Sequence, residues 1–206
     1  VVCVLLLAFR SHLLVDEGKF EVILSRESAF LFNNILFVVF TFTVLLGTAF
    51  PLVNEAISGE QISVGEPYFD KVAVPIGMML VFLMGVGPVL PWGRPDTKTV
   101  LKRFVAPLSV GILTVGLCFG MGLRGWMTLI TFGLCAFAAV VTVWEMLTPA
   151  FERMNRRQEK LATALGQSIV GGRRRFGGYV VHLGIIAIVV AVGASRSYRK
   201  TIEASL

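Results

Sequence analysis

Apolar residues run along this chain in blocks and do not alternate with polar ones. Five blocks, at about 29–50, 72–92, 104–123, 126–147 and 178–194, hold a single formally charged residue among them, Glu145. A helix needs ~20 apolar residues to cross a bilayer, and the last block lies near the lower limit. Backbone groups in lipid must be satisfied internally, which allows helices or closed barrels, and uninterrupted runs lack the period-two alternation of barrel strands. The pattern predicts an all-α polytopic transmembrane helix bundle of five full spans within 1–195. The apolar stretch 1–9 is too short to cross. No basic segment precedes it and no small-residue cleavage site follows, so it reads as the end of a partial N-terminal span and not as a signal peptide. Residues 196–206 read as the start of a truncated periplasmic segment. With no initiating Met, the sequence reads as a fragment or a split gene product. It shows no internal repeat.

Composition agrees. Hydrophobic residues make up 55% and charged residues 16%, with a mean hydropathy of +0.79. Soluble domains carry roughly 25% charged residues, and disorder requires low hydrophobicity, so both classes are excluded. The net charge of +6 is distributed by membrane topology and does not point to nucleic acid. Segments 10–28, 93–103 and 148–177 hold 14 of the 19 Lys and Arg residues; Lys71, Arg124, Arg196, Arg199 and Lys200 are the remaining five. The five spans alternate without conflict if the basic segments are cytoplasmic. In a bacterium this makes the chain a multi-pass inner-membrane protein with 51–71 in the periplasm.

The two long loops differ. Segment 148–177 is long enough for a surface helix, with Phe151, Met154, Leu161 and Leu165 as a weak apolar stripe. Its basic residues suit an anionic leaflet, which makes membrane lipid a partner. Segment 51–71 is acidic, with Glu55, Glu60, Glu66 and Asp70, and is punctuated by Pro51, Gly59, Gly65 and Pro67. Ile62 and Val64 alternate with polar residues, as in a short extended piece. Tyr68 and Phe69 suit either a membrane-interface position or the docking of a partner.

Candidate chemistry is sparse: two histidines, no nucleophile triad, no metal-ligand spacing and no phosphate-binding glycine motif. Cys3, Cys118 and Cys135 lie in apolar runs and read as small buried hydrophobes. The glycines within 116–125 read as a close helix-packing surface. Asn33 and Asn34 suit hydrogen bonding across helices, and Glu145 suits pairing with a basic loop residue. His182 lies about one turn inside the last span. An ionisable residue there is costly and faces a cavity or a partner. Three roles fit: a neutral imidazole bonded to a carbonyl, an axial ligand to haem or metal, and a proton relay. His12 belongs to a polar, solvated segment.

Four stretches resemble one family. They are Ser25-Arg26-Glu27-Ser28-Ala29-Phe30-Leu31-Phe32-Asn33-Asn34, then Leu46-Gly47-Thr48-Ala49-Phe50-Pro51, then Ile62-Ser63-Val64-Gly65-Glu66-Pro67-Tyr68-Phe69, and finally Arg175-Phe176-Gly177-Gly178-Tyr179-Val180-Val181-His182-Leu183-Gly184. In this order they resemble CcmF, the large membrane subunit of bacterial cytochrome c maturation. The middle, 104–147, is generic membrane sequence and adds little.

The resemblance implies a haem lyase (cytochrome c synthetase) subunit that helps attach haem covalently to apocytochrome c. Its partners would be a periplasmic haem chaperone, apocytochrome c and other cytochrome c maturation subunits. It implies a haem b within the membrane as an electron relay to the delivered haem. His182 matches one of the two histidine ligands, and the other lies upstream of the matched region. It also gives Ile62, Val64, Tyr68 and Phe69 a partner-binding role. The family's tryptophan-rich external segment and its flanking histidines are absent, so this chain alone is not expected to be a competent lyase; no catalytic residue is assigned. A transporter using Glu145 and His182, or a structural assembly subunit, are the alternatives.

Overall fold

The computed structural model describes residues 25–60, 62, 64–91 and 97–205, with the single residue Phe9. Apart from Phe9, the expected partial N-terminal span, with Cys3 and His12, lies outside the described residues. Six helices form among them, and no strand: α1 (Arg26–Ser58), α2 (Glu66–Val86), α3 (Thr97–Gly120), α4 (Trp126–Arg157), α5 (Leu161–Gly171) and α6 (Arg173–Ser205). All but α5 are long and apolar enough to cross a membrane. The chain is an all-α, multi-pass membrane protein.

The helices outrun the apolar blocks that predict them, for local reasons. Ser25 caps α1, its Oγ accepting from the Ser28 N–H at 3.2 Å. Pro51 lies inside α1 and does not end it. Proline removes one helical donor and crowds the carbonyl four residues back, which here belongs to Gly47, and membrane helices tolerate the loss. The helix stops at Gly59, whose φ of 71° is the left-handed cap geometry and whose N–H donates to the Glu55 carbonyl at 3.0 Å. Glu66 then opens α2 directly after the Gly65 cap, with Pro67 in its first turn. The expected loop 51–71 thus shrinks to the connection between Ser58 and Glu66, and Tyr68 and Phe69 lie in the first turns of α2. Ile62 and Val64 lie in the connection, with no strand at either.

At the other side, α4 continues through Pro149 to Arg157 and ends at Gln158, which adopts φ 53°. Phe151 and Met154 therefore belong to α4, and α5 begins only at Leu161. Residues 196–205 continue α6 as helix.

The bundle is built around α4, which packs on α2, α3, α5 and α6, while α1 packs on α2. Ala138 and Thr142 on α4 are completely buried, and the Thr142 hydroxyl donates to the Ala138 carbonyl at 2.7 Å. Val81, Cys135, Ala138 and Ile186 form one core cluster. Phe137 joins Val89 and Val141 in another, stacked near Phe82 and Phe104 with centroids 6.2 and 6.1 Å away. Cys118 and Cys135 are buried free thiols, as expected of small hydrophobes. The outward faces are apolar too: Phe30, Phe42 and Leu46 on α1 are more than half exposed, a surface that only lipid matches.

Close helix approach does not use the glycines read for it. Gly116, Gly120 and Gly122 have open space where a side chain would stand. Gly111 on α3 and Gly133 on α4 are instead in backbone contact: a Cβ at 111 would lie 2.9 Å from the Gly133 carbonyl oxygen. Missing side chains attract neighbours only where the helix faces one, and the 116–125 stretch faces outward or turns.

Two ion pairs mark the bundle ends. Arg175 of α6 meets Glu145 of α4 at 3.4 Å, and Arg196 grips Asp70 of α2 through two bonds of 2.6 and 3.0 Å. Along α6 the two arginines are separated by about 31 Å at 1.5 Å per residue, the thickness of a hydrocarbon core. The described residues of the basic segments, 25–28, 97–103 and 148–177, fall at the Arg175 end. In a background with Cys3, Cys118 and Cys135 replaced, Ser63→Cys is expected to react with an impermeant thiol reagent from outside and Thr97→Cys to be protected. The reverse pattern would invert the orientation.

Candidate functional site

His182 lies on α6 about 10 Å beyond Arg175 and lines a cavity of about 450 Å³. The floor is α2, with Gly77, Leu80 and Met84, and the walls are α1, with Asn33 and Phe37, and α6, with Tyr179 and His182. The slot exists because α1 packs on α2 while α6 packs on α4, which leaves α1 and α6 without a packed contact between them. Its volume falls within the roughly 300–1,000 Å³ of small-molecule sites.

The polar groups are few and placed singly. His182 Nδ1 is buried and makes no hydrogen bond, so the packing role open to it from sequence, an imidazole bonded to a carbonyl, is not realised at that nitrogen. Arg26 lines the slot near its basic end, and its backbone N–H donates to the Pro91 carbonyl at 3.2 Å. Tyr179 is buried, its hydroxyl accepting from Arg175 Nε at 3.1 Å. A Cβ on Gly77 would meet nothing within 4 Å, so the floor is recessed there. Among the described residues no group of three His, Cys, Asp or Glu could hold a bare metal ion. A flat apolar macrocycle carrying its own metal needs only axial ligands, and an apolar slot with one unpartnered imidazole and a recessed floor fits that need.

The other residues singled out from sequence lie elsewhere. Glu145 is bound to Arg175 and does not line the His182 slot. Asn34 points outward and is exposed, whereas its neighbour Asn33 faces the slot. Tyr68 and Phe69 pack onto α1: a Cβ on Gly47 would lie 2.8 Å from Tyr68 Cε1 and 2.9 Å from Phe69 Cζ. The Tyr68 hydroxyl donates to the Thr43 carbonyl at 3.2 Å. These two aromatics fix the α1–α2 pair and leave Ile62, 43% exposed, as the apolar tip of the connection. Sequence reading missed Gly77, Tyr179 and Arg26 as slot residues. A signal for the Gly47 contact was present in Thr43 and Gly47, small residues four apart on one helix face.

No protein-family model matches the chain. Over 129 residues, 63% of its length, it is 37% identical to the cytochrome c-type biogenesis protein CycK of Rhizobium meliloti. Over 184 residues, 88% of its length, it is 32% identical to the cytochrome c-type biogenesis protein CcmF of Pseudomonas fluorescens. These alignments span 19% and 26% of the two relatives, so the chain corresponds to about a quarter of their length at most. A solved structure of a cytochrome c heme lyase CcmF superposes with a TM-score of 0.61 at 29% identity, over 86% of this chain and 26% of that one.

Proposed function

Since this chain belongs to the CcmF family of cytochrome c-type biogenesis proteins, we propose that it forms part of the membrane portion of a haem lyase, in a bacterial inner membrane. In this reading His182 holds a haem b in the α1–α2–α6 slot. The observation that carries it is that His182, whose buried Nδ1 makes no hydrogen bond, lines an apolar slot among the family's matching helices. A haem b supplies a one-electron carrier, suited to keeping a delivered haem reduced while its vinyl groups are joined to the thiols of apocytochrome c.

The chain's own residues do the rest. His182 would present its imidazole from α6, a helix anchored to the core cluster through Leu183 and Ile186. Phe37, Leu80 and Met84 exclude water from the slot. Arg26, at its polar end, suits an acidic substituent on the bound ring. On the opposite side of the membrane Ile62 and Val64 offer a small apolar tip for a periplasmic haem chaperone or another maturation subunit, and Tyr68 and Phe69 hold that tip in position against α1.

Deleting the gene from its host is the test. Covalently bound haem in c-type cytochromes, read by haem staining of denatured membranes, is expected to fall below detection while b-type cytochromes persist. Re-expression of the full-length protein restores it, and an Ile62→Asp version restores it only partly. Unchanged c-type cytochromes in the deletion would contradict the function.

A further inference from the structure

A second cavity, of about 440 Å³, lies at the basic end of the bundle between α4, α5 and α6. One side is polar, with Arg153, Arg156 and Arg157 beside a single carboxylate, Glu152, from the last turns of α4 and Arg175 from the first turn of α6. The other is apolar, with Met146 and Phe176. Residues 145–177 hold seven basic side chains against three carboxylates, Glu145, Glu152 and Glu159. Two of those acids are shared out: Glu145 is 3.4 Å from Arg175, and Glu159 is 3.9 Å from both Arg153 and Arg157. Among the described residues Arg156 pairs with no carboxylate.

Two further observations point to an anion. Ser168 lines this cavity, and its hydroxyl oxygen is buried with no hydrogen-bond partner. Gly172, where α5 closes by donating to the Ser168 carbonyl at 3.0 Å, also lines it. The positive end of α6 starts at the next residue, where an anion is favoured. The surroundings decide which anion. α5 buries Ala164 against the bundle and leaves Ile169 and Val170 exposed at 38% and 63%, as in a helix lying at a lipid interface.

We propose that this cavity binds the phosphate headgroup of an anionic phospholipid from the leaflet it faces. Phosphate meets Arg156, Ser168 and the start of α6, and the acyl chains leave over the apolar surface of α5. A soluble phosphate would use the first half of the site only.

The full-length protein, stripped of lipid in a neutral detergent, is titrated with phosphatidylglycerol, phosphatidylcholine or inorganic phosphate. Binding is read by native mass spectrometry and by the shift in melting temperature. Phosphatidylglycerol is expected to bind and stabilise, with phosphatidylcholine and inorganic phosphate at least about tenfold weaker. Arg156→Gln should weaken phosphatidylglycerol about tenfold, the loss of one charge-assisted hydrogen bond. Arg156 is exposed, so the lipid-free melting temperature should not change, and a changed one would mean that the arginine supports the fold. Arg124→Gln, at the far end of the bundle, should bind as wild type. Equal phosphatidylglycerol binding by wild type and Arg156→Gln would overturn the proposal, as would inorganic phosphate binding as tightly as the lipid.

Discussion

Replacing His182 by Ala is expected to remove haem b from the purified full-length protein and to stop cytochrome c maturation, at unchanged protein level. The side chain lines the slot and is only half-buried among aliphatic neighbours, so truncating it opens space next to an existing cavity and leaves the core cluster around Val81, Cys135 and Ala138 in place. Stability should fall by no more than about 1–2 kcal/mol. Ligand loss should be far larger, because among the described residues no other histidine, cysteine or carboxylate lines the slot. Exogenous imidazole is expected to restore part of the haem content by filling the vacated space. His12→Ala should change neither haem nor maturation. Haem retained at wild-type level in the His182 variant would leave that residue a packing histidine.

The second large effect is expected at Gly111. A Cβ there would lie 2.9 Å from the Gly133 carbonyl oxygen, and a Cβ at 133 would lie 2.6 Å from Val115 Cγ2. A methyl side chain can move aside; a backbone carbonyl in the middle of a helix cannot do so without breaking its own hydrogen bond. Gly133→Ala should therefore cost about 1–3 kcal/mol, while Gly111→Leu must push α3 away from α4, the helix on which the bundle is built. We expect Gly111→Leu to be recovered from membranes at a small fraction of the wild-type yield. Gly116→Leu, on the same helix but facing open space, should be recovered normally. Equal yields for the two leucine variants would mean that α3 and α4 do not meet through these glycines.

This contrast also shows where sequence reading reaches and where it stops. The number and type of spans follow from apolar runs, because lipid imposes one solution on each run separately. Helix ends follow from individual capping geometries: Pro51 resembles a stop yet is tolerated, and Gly59 and Gln158 are the actual stops. Pairing between helices is less visible still. Tyr68 and Phe69 look like loop aromatics until α2 is known to start at Glu66, which carries them onto Gly47. Glycine content alone placed the close contact at 116–125, because composition does not say which way a helix faces.

The candidate site divides along the same line. His182 is legible as the one intramembrane imidazole, since charge-bearing groups are scarce in lipid. Its surroundings are not, because the slot joins residues from α1, α2 and α6 that lie far apart in the chain. Asn33 and Asn34 read alike in sequence, and only packing turns one inward. The arginines of 148–177 are legible as a basic segment, but the cavity they line exists only because α5 folds back beside α4.

The claim that the α1–α2–α6 slot holds a haem b through His182 is tested most directly by the reduced-minus-oxidised spectrum of the purified full-length protein, with haem quantified per polypeptide. A low-spin b-type spectrum at about one haem per chain is the predicted result, converted by His182→Ala to a haem-free or high-spin preparation. A wild-type preparation that supports cytochrome c maturation but carries no haem b would contradict it.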